Sequence, residues 1–180
     1  LWVVSKYIIG QFMSALFSRS SQQSFLPRVP PLRAVDLTSS SIVCLAEICA
    51  DTLVEYHLKN EELPKVQPIS DFLFKISKEN LNRINNIHVI EQSLYSDYLG
   101  LAGRVDCIAE YDGELAVIDF KTSNKIKPEE WIENYFVQET AYACMYFEMT
   151  GIPVKKLVTI MVAENGESFV YEKTNKGHYI

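Results

Sequence analysis

The chain has 180 residues, 48% of them apolar and 22% charged, and a formal net charge of −6. This balance supports one domain with a real core and excludes a disordered, collagen-like or repeat chain. No apolar run approaches the roughly 18 residues that span a bilayer, so no membrane partner is expected.

The charge is uneven along the chain. Residues 1–35 contain Lys6, Arg19, Arg28 and Arg33 and no acid, and they end in Pro27-Arg28-Val29-Pro30-Pro31. That is the composition of an organellar transit peptide; an ordinary first helix or a fragment end would read alike. The expected division is an N-terminal extension over 1–40 and a domain over 41–180. The domain is acidic, so any polyanion must be met through a local basic patch or through bound cations. Cys44, Cys49, Cys107 and Cys144 show no Cys-x-x-Cys spacing, which points to reduced thiols inside a cell.

The spacing predicts a helix over 41–58, with Leu45, Ile48, Cys49, Thr52 and Leu53 near one face. Pro64 and Pro68 break the chain. Ser70 is the expected N-cap of a helix over 71–84 whose stripe is Phe72, Leu73, Ile76 and Leu81. The period then falls to two. His88–Tyr95, Ala102–Tyr111 and Glu114–Lys121 read as strands, with Asp112-Gly113 as a two-residue hairpin turn. Pro128, Glu129 and Glu130 open a long helix that Gly151 and Pro153 end near Thr150. Val154–Ala163 and Ser168–Lys173 form a second hairpin around Asn165-Gly166. The fold class is α/β, a central mixed sheet of four or five strands flanked by helices.

With the Asp112-Gly113 turn taken literally, Tyr111 faces Glu114, Asp106 faces Asp119 and Arg104 faces Lys121. Carboxylates opposite one another lie about 4.5–5.5 Å apart at Cβ and repel. A divalent cation removes that repulsion, and oxygen ligands favour Mg²⁺ or Mn²⁺. Lys121 points to the same face, where it can stabilise charge on a phosphate or help to deprotonate a water. The alternative is a surface hairpin with solvated charges.

Three motifs follow in order: Gly103-Arg104-Val105-Asp106, then Ile118-Asp119-Phe120-Lys121-Thr122-Ser123, then Gln138-Glu139-Thr140-Ala141-Tyr142. Together they resemble the PD-(D/E)XK nuclease superfamily, in particular its RecB-like branch and the mitochondrial and phage exonucleases within it. The resemblance implies a restriction-endonuclease-like core and a metal-dependent deoxyribonuclease. Such an enzyme hydrolyses phosphodiesters, as an exonuclease on single-stranded DNA or DNA ends, in DNA repair or replication. It makes Asp106, Asp119, Lys121, Gln138 and Tyr142 the catalytic set, and Asp106, Asp119 and Glu91 the ligands of Mg²⁺ or Mn²⁺. Gln138 and Tyr142 are four apart on one helix face and could hold Lys121 or the scissile phosphate.

Arg104, Thr122, Ser123, Lys125 and Lys127 are expected at the nucleic acid, with Lys155 and Lys156 extending the basic patch. Trp131, Tyr135 or Phe136 could stack on an unpaired base. RecB-like nucleases carry a metal-binding His on an early helix. Here that helix offers His57, with Asp51 or Glu55 nearer the expected place. Cys107 and Cys144 read as core thiols, so no iron–sulfur cluster is expected. A monomer is expected, in the mitochondrial matrix if residues 1–35 direct it there and otherwise in a bacterial or phage-infected cytoplasm. The alternative function is a catalytically impaired nuclease-fold domain that still binds nucleic acid; a plain acidic interaction domain is a third.

Overall fold

The structure, a computed structural model, describes residues 2–4 and 50–174. The transit-peptide reading (Trp2–Val4 apart) and the helix start with Cys44 and Cys49 lie outside the described residues. In chain order the elements are strand β1 (Trp2–Val4), helix α1 (described over 50–58), helix α2 (Pro68–Leu81), strands β2 (Ile84–Ser96), β3 (Leu101–Tyr111) and β4 (Glu114–Ser123), a 3₁₀ turn (Glu129–Trp131), helix α3 (Glu133–Thr150), and strands β5 (Lys156–Ala163) and β6 (Ser168–Thr174). From α1 onward this is the order expected; β1 was not expected.

Strands β2-β3-β4-β5-β6 lie side by side. All neighbouring pairs are antiparallel except β4–β5, which runs parallel because α3 carries the chain back across the sheet. Strand β1 pairs parallel with Leu101–Gly103, along the stretch of β3 that β4 does not accompany.

Both faces of the sheet are covered. On one, Leu53 and Val54 of α1 and Phe74 and Leu81 of α2 pack on Cys107, Ala109, Ile118, Val158 and Ile160. On the other, Phe136, Tyr142 and Met145 of α3 pack on Ile108, Val117, Leu157 and Met161. Burial on both sides explains why β4 and β5 read as near-continuous apolar runs.

Two local expectations are corrected. Helix α2 begins at Pro68, with Gln67 as N-cap, and Ser70 lies buried inside the first turn. Proline lacks the N–H that a first-turn residue could not use, so it opens the helix without cost. The inward face is Ser70, Leu73, Phe74, Ser77 and Leu81, and Phe72 is 43% exposed. That row has helical spacing but passes through two serines, which an apolar stripe cannot reveal. The Ser77 hydroxyl is satisfied by the Phe74 carbonyl at 2.8 Å.

The β3–β4 turn is as expected. Asp112 and Gly113 both have positive φ, 54° and 81°, the geometry of a type I′ turn that matches strand twist. Tyr111 pairs with Glu114, and the register runs in step to Cys107 with Ile118. Arg83 clasps the turn through Nε to Asp112 Oδ1 at 3.0 Å, and this guanidinium holds the Asp112 carboxyl below its ordinary range. Gly113→Val is expected to lower stability by about 1–2 kcal/mol, because a β-branched side chain is strained at positive φ. A fall in the urea midpoint with unchanged slope checks it.

Candidate functional site

The register that starts at the turn does not continue to the ionic end of the hairpin. Main-chain pairing of β3 with β4 stops at Cys107–Ile118. One residue on, the Asp106 carboxylate takes the place of a main-chain acceptor: its Oδ2 receives the Phe120 N–H at 3.1 Å. A charged oxygen is the stronger acceptor, so the strands fork there. Asp106 and Asp119 are thus not a cross-strand pair of the ladder, although Asp106 meets the main chain immediately after Asp119. Arg104 does not face Lys121. It pairs in register with Ser93 of β2, and its exposed guanidinium binds Glu91 Oε2 at 2.8 Å.

Asp119 is 2% exposed and Asp106 4%. Buried carboxylates need partners, and Asp119 forms an ion pair with the Lys121 ammonium, which also lies 5.2 Å from the centre of the Tyr135 ring. Glu91 stands between the Ile90–Cys107 and Gln92–Val105 pairs, hence across from Asp106, and its φ is +48°. A left-handed glutamate in a strand costs about 1–2 kcal/mol. Two carboxylates are therefore opposed in this sheet, but they are Glu91 and Asp106.

Helix α1 adds two more acids. Asp51 and Glu55, four residues apart, line a small pocket with Glu91, Asp106, Ile90 and Phe120. His57 turns away, its ring edge-on to Phe74 of α2 at 5.4 Å. Burial and the nearby Lys78 lower its pKa. The early-helix position near the site thus falls to acids and not to the histidine.

Beneath the β4 end, α3 presents Tyr135, Gln138, Glu139 and Tyr142. Gln138 Nε2 donates to Tyr142 Oη at 3.1 Å, and both side chains are buried. Burial raises the Tyr142 pKa. Glu139 had no role in the sequence reading, yet it is fully buried and accepts a hydrogen bond on Oε1 from the Thr159 hydroxyl. Thr159 stands beside Asp119 in the β4–β5 register. Burial first, and the negative charge of Asp119 second, push the Glu139 carboxyl well above its usual range; the Thr159 hydrogen bond and Lys121 oppose them. The available signal was an acid inside the otherwise uncharged segment from Phe136 to Ala143.

The residues expected at nucleic acid divide. Thr122 and Ser123 are half-buried at the β4 end, and Lys125 is exposed just beyond. Lys127 is a brace: its Nζ donates to Tyr135 Oη at 3.0 Å and its carbonyl accepts the Tyr171 hydroxyl. Lys155 and Lys156 do not extend this patch. Lys156 pairs with Ala116 in the parallel register while Lys121 pairs with Met161, which separates them by about 17 Å of strand. Lys156 instead binds Glu172 at 2.8 Å. Of the aromatics, Trp131 is 74% exposed, Tyr135 half-buried, and Phe136 belongs to the core. Cys107 is likewise a core thiol, which burial pushes up to about 12.

Among the described residues no group of three or more His, Cys, Asp or Glu side chains is drawn together as a metal cluster. The donor chemistry nonetheless fits a hard divalent ion. Asp106, Glu91, Asp51 and Glu55 share a pocket lining, and Asp119 lies one residue from Phe120, whose N–H Asp106 holds. Glu91 and Asp119 are each neutralised by an internal cation, Arg104 and Lys121. An ion there would take over that role.

Known proteins resemble this chain in sequence and in fold. The family model for the PD-(D/E)XK nuclease superfamily matches residues 11–175. Sixty residues, 33% of this chain, are 38% identical to mitochondrial genome maintenance exonuclease 1 of Homo sapiens, of which they span 15%. Forty-eight residues, 27% of the chain, are 44% identical to the Mus musculus protein of the same name and span 14% of it. A crystal structure of an exonuclease candidate from Eubacterium rectale superposes with a TM-score of 0.51 at 11% identity, over 82% of this chain and 63% of that one. That likeness speaks for the restriction-endonuclease-like α/β fold alone. With the family model covering nearly all of the described domain, the chain belongs to the PD-(D/E)XK nuclease superfamily.

Proposed function

We propose that this chain hydrolyses DNA phosphodiesters with a divalent cation, Mg²⁺ or Mn²⁺, held by Asp106, Asp119 and Glu91. The observation that carries the reading is the fork: the β3–β4 ladder ends where Asp106 caps the Phe120 N–H, and the next side chains along β4 are the Asp119–Lys121 pair. When bound, the ion would neutralise charge on the phosphate and acidify a water. Lys121 brings a positive charge to the same phosphate. Gln138 and Tyr142 brace the floor beneath it, and Lys125 meets the backbone of the nucleic acid. Trp131, the exposed aromatic of the three, offers a face for a base.

The names of the two mammalian relatives favour exonuclease action in genome maintenance, and we read the substrate as single-stranded DNA or DNA ends, in repair or replication. Those names favour a mitochondrial setting if residues 1–35 provide the address; without such an address we read the setting as a bacterial or phage-infected cytoplasm. No helix among the described residues is long and apolar enough to cross a membrane.

The test is incubation of a 5′-labelled single strand, and of its duplex, with the protein with and without Mn²⁺. The expected result is Mn²⁺-dependent shortening of the single strand. Binding without product would favour the impaired, nucleic-acid-binding reading. No binding, no product and no metal-induced rise in melting temperature would leave the acidic interaction domain.

A further inference from the structure

Glu139 is a buried carboxyl that the proposed chemistry does not use. It is fully enclosed, one oxygen is held by the Thr159 hydroxyl, and Oε2 has no hydrogen-bond partner. Such an oxygen is costly to bury unless something meets it in another state of the protein. Two observations identify what is near enough. Thr159 stands beside Asp119 in the β4–β5 register, so the Glu139 carboxyl lies level with Asp119. Tyr135, whose ring lies under the Lys121 ammonium, is four residues before Glu139 on α3, hence on the same helix face. The Lys121 side chain thus runs over the helix face that carries Glu139.

We propose that Glu139 is the positioning residue for Lys121 in the metal-loaded protein. In the form described here Lys121 neutralises Asp119. A divalent ion on Asp119 would compete with that ammonium, and the displaced ammonium needs another buried carboxyl, whose ionised form its approach favours. Glu139 Oε2 supplies it, with Tyr135 as the rail along which the ammonium stays desolvated. Lys121 would then remain beside the phosphate and off the metal ligand. Lys121 is already among the influences that favour the ionised form of Glu139. This inference rests on the metal-dependent reading of the site.

The experiment measures Mn²⁺ binding to the full chain by calorimetry, without DNA, for the wild type, Glu139→Gln, Lys121→Met and the double variant. The amide of Glu139→Gln keeps the shape and an acceptor for Thr159, and a melt without metal verifies folding; should Glu139→Gln not fold, Glu139→Met replaces it in the cycle. The expected result is a loss of about tenfold in Mn²⁺ affinity for Glu139→Gln. In the Lys121→Met background, where no ammonium seeks a partner, the same change should have no effect. An affinity for Glu139→Gln within about twofold of wild type, or an equal loss in both backgrounds, overturns the positioning role while the nuclease reading stands. Absence of Mn²⁺ binding by the wild type overturns both.

Discussion

Asp119→Asn is expected to reduce metal-dependent cleavage by about a thousandfold or more, as loss of a charge-stabilising group in an enclosed site does. Asp119 is buried and shares its charge with Lys121. The amide is isosteric and removes the anion alone, so the strand should keep its place between β3 and β5. Lys121 would lose its ion-pair partner but keep its contact with the Tyr135 ring, so the cost in stability should be small beside the loss of activity. Initial rates on a labelled single strand, together with an unchanged circular dichroism spectrum, check both halves. Substantial Mn²⁺-dependent cleavage by Asp119→Asn would remove that residue from the site. Lys121→Met should fall in the same direction, and the two effects should not add, because the groups act together.

The largest structural effect is expected at Phe136. Its ring is almost fully buried between α3 and the sheet, in the cluster that holds Ile108, Val117, Leu157 and Met161. Phe136→Ala should cost about 3–5 kcal/mol, the transfer term of the lost ring plus the cavity it leaves. For a chain of this length that is a fall of roughly 10 °C or more in melting temperature. Helix α3 carries Gln138, Glu139 and Tyr142, so the variant should also lose activity at temperatures where it is still folded. A drop of under about 1 kcal/mol in chemical denaturation would show that α3 does not pack as described.

How much of this was legible in the sequence depends on what fixed each feature. The hairpin register was legible because Asp112-Gly113 permits few turn geometries, and the turn type sets the pairing. Its extent was not, because the Asp106 side chain competes with the main chain for the Phe120 N–H, and a pairing rule counts backbones only. The inward face of α2 was half legible, since Ser70 and Ser77 sit where a stripe of apolar residues was sought. Lys155 and Lys156 were misplaced because a parallel β4–β5 pair puts the start of β5 beside the start of β4, and linear order does not show which end of a sheet a segment reaches. Asp51 and Glu55 were legible as acids on one helix face, but their arrival beside Glu91 and Asp106 is a matter of tertiary packing. Glu139 was legible as a motif letter and became informative only once its enclosure was seen.

Arg83 has a consequence for how the molecule moves. One guanidinium ties the end of α2 to the Asp112 turn and to Glu172 of β6, and it lies over the Tyr111 ring, which Lys156 approaches as well. Four stretches remote in sequence are knotted at that pole. At the opposite pole the ladder has already unzipped between β3 and β4. Amide hydrogen exchange is therefore expected to be faster around Asp106 and Phe120 than around the Asp112 turn, like the loose edge of a book with a stitched spine.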